Sequence, residues 1–396
     1  MKTSTICLTP YDELDTPVEL SVSRHLSQSI NSIVKQLAEP YSGQVLKIFT
    51  ADKDDHAAAL TLTLLQRPLC TNFPKLFYWS RLRKADLFGE VDETANMYAY
   101  RQQLGGPMSS LFSKLCTAEQ MRSLLAQLTL PLVCMHRRNL LHCDVKMENF
   151  VAAIRACDPN WSESSQITIN SRTITVPHCV DGLDIKPLLI DFELAMSSHT
   201  ARLSDNMVTT LHTRPPELLF VDPNVPLEYN ERSEAYSLAM GVLYEIQTRL
   251  PGSPRPTQIS AAYFADATAC IDKLLATSGS ESIELAYGKD NVTKIVEYAW
   301  LAVLTLGYPG DAVMERTPLG RVIKAHRESI TSWPTHCLID NLPPAVCGLL
   351  GADGVSFLRH ALHWENGRRK TLTQLLGHPY LRPFVTKKPP KRRLSG

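Results

Sequence analysis

A short run of polar residues between apolar stretches limits the chemistry that this chain can support. In the segment Leu140–Phe150, which reads LLHCDVKMENF, Asp144 is followed by Lys146 and then by Asn149. One loop thus carries a proton acceptor, a cation and an amide that can bind a metal. A further carboxylate, Asp191, follows the apolar run PLLI, as in a strand that delivers a metal ligand. Phosphoryl transfer needs an oriented hydroxyl, neutralised phosphate charge and a positioned Mg²⁺, and these side chains could supply all three.

Composition excludes several other classes of protein. The chain has 396 residues, 44% of them hydrophobic, enough for one large domain or two small ones. The 41 Lys and Arg residues balance 40 Asp and Glu residues, so neither nucleic acid nor a membrane is predicted as a partner. The ten cysteines show no C-x-x-C pair, which argues against a zinc site or a disulfide framework and for a reducing, cytoplasmic or nuclear compartment. The start lacks the layout of a signal peptide, and the most apolar stretch, Leu124–Met135, is too short to span a bilayer.

The hydrophobic pattern changes along the chain. Residues 17–50 read as short strands, Asp54–Gln66 as a helix, and Leu76–Trp79 and Met97–Tyr100 as further strands. From Glu119 onward the pattern is mainly helical. The later helical segments are Glu234–Arg249, Val292–Leu306, Val355–His363 and Thr371–Leu376. A strand-rich part followed by a helix-rich part predicts two lobes with a cleft between them, a favoured place for a ligand.

The polar constellation resembles the protein-kinase signature H-R-D-x-K-x-x-N followed by D-F-G. The resemblance implies an α+β, bilobal protein-kinase fold with a small β-rich N-lobe and a larger helical C-lobe. It implies that Asp144 is the catalytic base, that Lys146 meets the γ-phosphate, and that Asn149 and Asp191 hold Mg²⁺. ATP and Mg²⁺ are then the expected cofactors and proteins the expected substrates. The lysine at position 146 favours serine/threonine over tyrosine specificity.

Downstream segments are similar to the same family. Val208–Glu217, VTTLHTRPPE, resembles the end of an activation segment, and Thr210 stands where serine/threonine kinases place a threonine that contacts the catalytic aspartate. In Ser233–Leu238, Glu234 replaces the aspartate that opens the central C-lobe helix. Glu365–Leu381 resembles the close of the C-lobe, which implies an ion pair between Arg369 and Glu217.

The N-terminal part of the ATP site is less like the family. Ser42–Lys47 resembles the turn and strand that carry the ATP-binding lysine, so Lys47 is expected to reach the α- and β-phosphates. Upstream, serines replace the glycines of the loop that covers the phosphates. The expected loop positions are Ser27, Ser29, Ser32 and Val34. Further on, Leu104–Met108 resembles the stretch after the hinge, which puts the hinge near Arg101–Gln103 and a bulky gatekeeper near Tyr100.

Four departures affect regulation and lysine positioning. Cys143 replaces the arginine that docks a phosphorylated activation loop, and Asp205 stands where many relatives carry the activating phosphothreonine. Glu193 replaces the glycine of D-F-G. The helix after Lys47 lacks the glutamate that pairs with the lysine, and by spacing Gln66 is its expected substitute.

The resemblance also predicts the division of the chain. The expected parts are an N-terminal extension (1–16), the N-lobe (17–103), the C-lobe (104–385) with insertions near 154–184 and within 250–350, and a basic tail (386–396). The stretches 154–184 and 250–290 read as loops or insertions because neither has a clear period.

Two other functions compete with an active kinase. A pseudokinase acting as a binding or scaffold module would explain the serine loop, the missing glutamate and Glu193. A small-molecule kinase of the choline or aminoglycoside type would explain the sequence IDFE at Ile190–Glu193, although the RPPE segment and Arg369 are features of protein kinases. An eroded N-lobe beside an intact catalytic core also resembles kinases of large DNA viruses, herpesvirus-like ones among them.

Overall fold

The computed structural model describes most of the chain in twelve segments. They are residues 4–8, 18–28, 32–51, 56–67, 69–82, 96–153, 163–169, 172–198, 209–221, 228–249, 292–329 and 338–387. The structural statements below concern these residues.

A six-stranded antiparallel sheet forms the N-terminal region. Its strands are β1 (Ser4–Leu8), β2 (Val18–Gln28), β3 (Ser32–Leu37), β4 (Gln44–Ala51), β5 (Leu76–Leu82) and β6 (Asn96–Gln103). They are ordered β1-β2-β3-β4-β6-β5. The strands predicted from alternating apolar residues are confirmed, while β1, which pairs with β2, lies in the predicted N-terminal extension and was not foreseen.

Ten further strands follow the sheet in the part of the chain that the structure describes. They are β7 (Gly105–Pro107), β8 (Leu140–Leu141), β9 (Phe150–Ala153), β10 (Ser164–Ile169), β11 (Arg172–Pro177), β12 (Cys179–Val180), β13 (Leu183–Asp184), β14 (Pro187–Leu189), β15 (Met196–Ser197) and β16 (Val385–Lys387). The pairs β14–β9 and β15–β8 are antiparallel and hold the segments on either side of the predicted catalytic loop.

The rest of the described chain is mainly helical. The helices are α1 (His56–Gln66), α2 (Met108–Phe112), α3 (Ala118–His136), α4 (Pro216–Leu219), α5 (Glu231–Arg249), α6 (Val292–Leu306), α7 (Asp311–Met314), α8 (Pro318–Ser329), α9 (Pro344–Ala361) and α10 (Leu372–Leu375). An antiparallel sheet followed by helices confirms the mixed composition predicted from the sequence. No helix among the described residues is both long and apolar enough to cross a membrane.

Helix α3 lies at the centre of the helical region. It begins with a capping box, in which the Thr117 side chain accepts from the Gln120 backbone and the Gln120 side chain accepts from the Thr117 backbone. Every residue from Ser123 to His136 is buried, which explains why the sequence is apolar around almost the whole helix.

One continuous core joins the sheet to α1, α3, α5 and α9. Representative buried side chains are Phe49, Tyr98, Leu65, Leu128, Leu243 and Phe357. A smaller cluster lies among α6, α7 and α8 and includes Trp300, Val303, Leu319 and Ile323. The continuity of the main core places the sheet directly against the segments that carry the polar residues.

The stretch 154–184, predicted as a loop or an insertion, is not a loop from residue 164 onward, where it forms strands. Strands β10 and β11 form an antiparallel hairpin, and β16 pairs with β11, so residues at the start of the predicted basic tail belong to a sheet. The hairpin buries alternate residues, Ser165 and Ile167 on one strand and Ile174 and Val176 on the other. Cys179, next to this sheet, is disulfide-bonded, a bond that the cysteine pattern did not predict. The stretch 250–290 lies outside the described residues.

Candidate functional site

The predicted catalytic loop, His142–Asn149, lies between β8 and β9 and ends in a 3₁₀ turn at Met147–Asn149. Its backbone turns sharply at Cys143, which is buried and adopts a left-handed φ of 67°. Such a conformation is unfavourable for a residue with a side chain and persists only where neighbouring contacts hold it.

Buried contacts from two helices hold that turn. The Cys143 backbone N–H donates to Oε1 of Glu234 on α5 at 2.8 Å. The other carboxylate oxygen of Glu234 lies 2.6 Å from Nε2 of His136 at the end of α3, and both side chains are fully buried. The Glu234 carboxylate on α5 therefore fixes the loop backbone.

Three side chains converge on the Asp144 carboxylate. The Thr210 hydroxyl donates to Oδ1 at 2.7 Å, and the Asn149 amide Nδ2 donates to Oδ2 at 2.9 Å. The Lys146 ammonium lies 2.6 Å from Oδ2 and donates to the Thr210 hydroxyl at 2.9 Å. The predicted contact of Thr210 with the aspartate is present, and Asp144, Lys146, Asn149 and Thr210 form one connected group.

Asp191 lies two residues after the end of β14 and is tied to the same group. The Ile190 backbone N–H donates to the Asn149 carbonyl at 2.9 Å, and His142 Nε2 lies 2.9 Å from the Ile190 carbonyl. Asp191 itself has a left-handed φ of 67°. Because Asn149 and Ile190 are hydrogen-bonded, the amide and the carboxylate predicted to bind a metal belong to neighbouring segments.

The aromatic ring of Phe192 anchors the turn after Asp191. It stacks on Phe73 with ring centroids 5.2 Å apart and meets the His142 ring edge-on at 5.6 Å. The 3₁₀ turn Phe192–Leu194 also packs against α1. The turn is therefore fixed on one side by α1 and Phe73 and on the other by His142 of the predicted catalytic loop.

Lys47 on β4 extends from the sheet to this turn. Its buried ammonium lies 2.7 Å from Oδ1 of Asp191 and 2.6 Å from Oε1 of Glu193. Burial alone would lower the pKa of Lys47, but Tyr100 and the two carboxylates outweigh it and raise the pKa, so the ammonium stays charged. Burial opposes ionisation of Asp191, yet the Lys47 charge lowers the pKa of that carboxyl below its ordinary value.

The prediction that Gln66 partners Lys47 is wrong. The buried face of α1 carries Thr61, Leu62, Leu64 and Leu65, so Gln66, the next residue along the helix, is exposed to solvent. A carboxylate that does contact the lysine is that of Glu193. In the sequence, this residue stands out only because it replaces the glycine of D-F-G. Two signals could have identified it, namely an acidic residue directly after Asp191-Phe192 and the absence of any acidic residue from α1.

The predicted phosphate-covering loop lies at the β2–β3 hairpin. Ser27 near the end of β2 is directly opposite Val34 on β3, and Val34 is opposite Lys47 on β4. Ser27 is exposed, Ser32 begins β3, and Ser29 lies outside the described residues. Cross-strand pairing thus brings Ser27, Val34 and Lys47 into one row across three strands.

Tyr100 continues that row on β6, directly opposite Lys47. Its ring is buried and packs edge-on against Phe49, with centroids 5.7 Å apart. The chain then leaves the sheet at Gln103 and enters β7 at Gly105, which is paired with β9 next to the catalytic loop. The predicted gatekeeper and hinge positions therefore lie where the chain passes from the sheet to the helical region.

The ion pair predicted between Glu217 and Arg369 is confirmed. Two guanidinium nitrogens of Arg369 each lie 2.8 Å from a different oxygen of Glu217, a bidentate arrangement, and Arg369 is 1% exposed. Ser233 and Asn366 also donate to the Glu217 carboxylate. The pair joins the start of α4 to the segment before α10.

The arrangement combines the chemical groups that sequence reasoning assigned separately. A carboxylate held by hydroxyl, amide and ammonium donors lies on one segment. A second carboxylate lies on the neighbouring segment and is paired with a buried lysine of the sheet. Such a set can accept a proton from a hydroxyl, neutralise anionic oxygens and bind a hard divalent cation. No protein-family model matches the chain, and no curated protein is similar to it in sequence at a significant level.

Proposed function

We propose that the chain is a divergent protein serine/threonine kinase with a bilobal fold, in which residues 17–103 form the N-lobe and residues 104–385 the C-lobe. The observation that carries the proposal is the convergence of Thr210, Lys146 and Asn149 on the Asp144 carboxylate. A chance D-x-K-x-x-N sequence in a solvated loop would not place all of these side chains in contact with one another and with a threonine from a distant segment.

Asp144 is suited to act on the substrate hydroxyl. Its Oδ1 accepts from Thr210, and its Oδ2 accepts from Asn149 and lies beside Lys146. These contacts fix the carboxylate, so that it can orient a serine or threonine hydroxyl and accept its proton. Lys146 is the cation that would offset the charge of the transferred phosphoryl group.

The nucleotide and metal are assigned to the neighbouring groups. Lys47 would neutralise the α- and β-phosphates of ATP, with Ser27 and Val34 in the same cross-strand row. Mg²⁺ fits the donor set because Asn149 uses its Nδ2 on Asp144, which leaves its amide oxygen for a cation, and Asp191 supplies a carboxylate. When bound, the ion would neutralise phosphate charge. The described residues contain no cluster of three or more His, Cys, Asp or Glu side chains that could hold a metal ion.

The buried pair of Glu217 and Arg369 supports protein kinases over small-molecule kinases. Sequence resemblance assigned this pair to the protein-kinase C-lobe, and its geometry agrees with that assignment. A pseudokinase is the second candidate. It is favoured by the pairing of Lys47 with two carboxylates, since both compete with phosphates for the ammonium.

Phosphoryl transfer from γ-labelled ATP distinguishes these functions. The protein is incubated with Mg²⁺ and either a generic basic protein or a mixture of choline and an aminoglycoside, and the labelled product is hydrolysed to identify the acceptor. We expect label on phosphoserine and phosphothreonine of the basic protein. Label only on a small molecule would replace the protein-kinase assignment, and nucleotide binding without any transfer would favour the pseudokinase.

A further inference from the structure

Lys47 lies between two carboxylates that belong to the same short segment. Asp191 and Glu193 are 2.7 and 2.6 Å from its ammonium. Helix α1, which packs against that segment, has the sequence HAAALTLTLLQ and contains no acidic residue. The only acidic side chains paired with Lys47 among the described residues thus come from the turn after β14.

The two carboxylates differ in what else they can do. Asp191 is the proposed metal ligand, and a divalent cation there would compete with Lys47 for its oxygens. A buried ammonium left without an anion is costly, because desolvation of the charge is not offset. Glu193 is then the carboxylate that remains to hold Lys47.

The backbone around Glu193 is well fixed for such a role. The preceding Phe192 ring is held between Phe73 and His142, and the left-handed conformation of the turn falls on Asp191 and not on Glu193. Position 193 therefore accepts a residue with a long side chain without backbone strain.

We propose that Glu193 is the positioning residue for Lys47 and replaces the glutamate that α1 lacks, an inference that rests on the proposed function. The lysine is then oriented from within the segment that also carries the metal-binding aspartate. Helix α1 contributes apolar packing through Leu62, Leu64 and Leu65 and no charge. The direction in which Lys47 presents its ammonium to phosphates depends on the 191–194 turn.

The test measures nucleotide affinity and steady-state kinetics in a set of matched variants. Glu193→Gln removes the charge at nearly constant volume, Glu193→Asp keeps it on a shorter chain, and Lys47→Met removes the partner. Gln66→Ala is the control for the position expected from spacing. The affinity for a fluorescent ATP analogue is measured by titration at saturating Mg²⁺. Steady-state kinetics give KM for ATP, kcat and the Mg²⁺ concentration for half-maximal rate. Thermal unfolding confirms that each variant is folded.

We expect Glu193→Gln to weaken nucleotide binding and raise KM about tenfold, since a charge-assisted contact of this kind contributes at least about 1.4 kcal/mol. Its effect on kcat should be smaller, and its Mg²⁺ requirement unchanged. Glu193→Asp should recover part of the affinity, and Gln66→Ala should match the wild type. In the Lys47→Met background, Glu193→Gln should add no further loss. If Glu193→Gln does not fold, the nucleotide affinity and KM of Glu193→Asp are compared with those of the wild type, and a partial loss is expected.

Two results would overturn the inference while leaving the proposed function intact. One is a Glu193→Gln variant with wild-type affinity and KM. The other is a raised Mg²⁺ requirement that persists in the Lys47→Met background, which would make Glu193 a metal ligand. A wild-type protein that binds no nucleotide would instead refute the proposed function and the positioning role together.

Discussion

Thr210 and Asp144 are joined through both the side chain and the backbone of the threonine. The Thr210 hydroxyl donates to Oδ1 of Asp144 at 2.7 Å, and its backbone N–H donates to the same oxygen at 3.3 Å. The hydroxyl also accepts from Lys146 at 2.9 Å. One threonine thus links the segment before α4 to both charged groups of the catalytic loop.

Removal of the Thr210 hydroxyl should reduce turnover more than nucleotide affinity. Thr210→Val keeps the shape but leaves Asp144 and Lys146 without a shared partner. A hydrogen bond to a charged group contributes about 1.5–3 kcal/mol, so kcat should fall roughly 10- to 100-fold. Thr210→Ser, which keeps the hydroxyl, is the matched control and should retain most of the activity. Steady-state kinetics measure kcat and KM for ATP in both variants. Equal kcat for Thr210→Val and Thr210→Ser would show that the Thr210 hydroxyl does not contribute to turnover.

The pair of Glu217 and Arg369 should contribute strongly to stability. Arg369→Gln leaves the Glu217 carboxylate, whose side chain is 21% exposed, without its bidentate partner, and rupture of a largely buried pair typically costs about 3–5 kcal/mol. The neighbouring Arg368 is mostly exposed and makes a surface pair with Glu365, so Arg368→Gln should change stability by less than about 1 kcal/mol. Urea unfolding of both variants provides the comparison. Similar losses of unfolding free energy in the two variants would show that the pair of Glu217 and Arg369 stabilises the fold no more than the surface pair does.

The same pair predicts how stability depends on pH. Burial would raise the pKa of Glu217. The charge of Arg369 outweighs burial, together with hydrogen bonds from Arg369, Asn366 and Ser233, and lowers this pKa below its ordinary value of 4.5. The folded protein therefore holds a proton less tightly at this site than the unfolded chain does. The stabilisation is fully present above the ordinary pKa and is lost as pH falls through the lower folded value.

Glu217→Gln isolates this contribution. The difference in unfolding free energy between wild type and variant should be largest near pH 7 and should shrink as pH is lowered from about 5 towards 3. Chemical unfolding across this range measures it, with Glu365→Gln as an exposed control that should show little change. A difference that is constant or that grows on acidification would show that the Glu217 carboxylate is not stabilised in the folded state.

The catalytic loop should work without phosphorylation of the segment before α4. Cys143, which stands where the kinase resemblance expects an arginine, is buried and offers no cation to a phosphate. Thr209 is also buried, and its carbonyl and hydroxyl oxygens accept from Arg214. Phosphatase-treated protein should therefore transfer phosphoryl groups at the rate of untreated protein. A treated sample that is inert until Thr209 or Thr210 is phosphorylated would contradict this prediction.

The sequence was most informative where a residue type is tied to chemistry. Asp144, Lys146 and Asn149 were identified by order and spacing, and the structure brings them into contact because they share one short loop. The partner of Arg369 was also predicted, although Glu217 is distant in the chain. In both cases the motif specifies a contact that few other residue types could make.

The sequence was less informative where a contact depends on the direction of a side chain. Gln66 was placed by counting residues from Lys47, but the exact start of a helix decides which of its residues face inward. In the strand pair β10–β11 the alternation of buried Ser165 and Ile167, and of Ile174 and Val176, was present in the sequence. Abundant serine and threonine obscured it, since both residues are frequent in loops as well as strands.

We propose that Asp144 supports phosphoryl transfer from ATP to protein hydroxyl groups. The most direct test compares initial rates of label transfer to a generic basic protein by wild type, Asp144→Asn and the exposed-residue control Asp353→Asn, at equal nucleotide occupancy and with thermal unfolding checked. We predict that Asp144→Asn reduces the rate at least about 100-fold while binding nucleotide normally, and that Asp353→Asn matches the wild type. Equal transfer by wild type and Asp144→Asn would contradict the account.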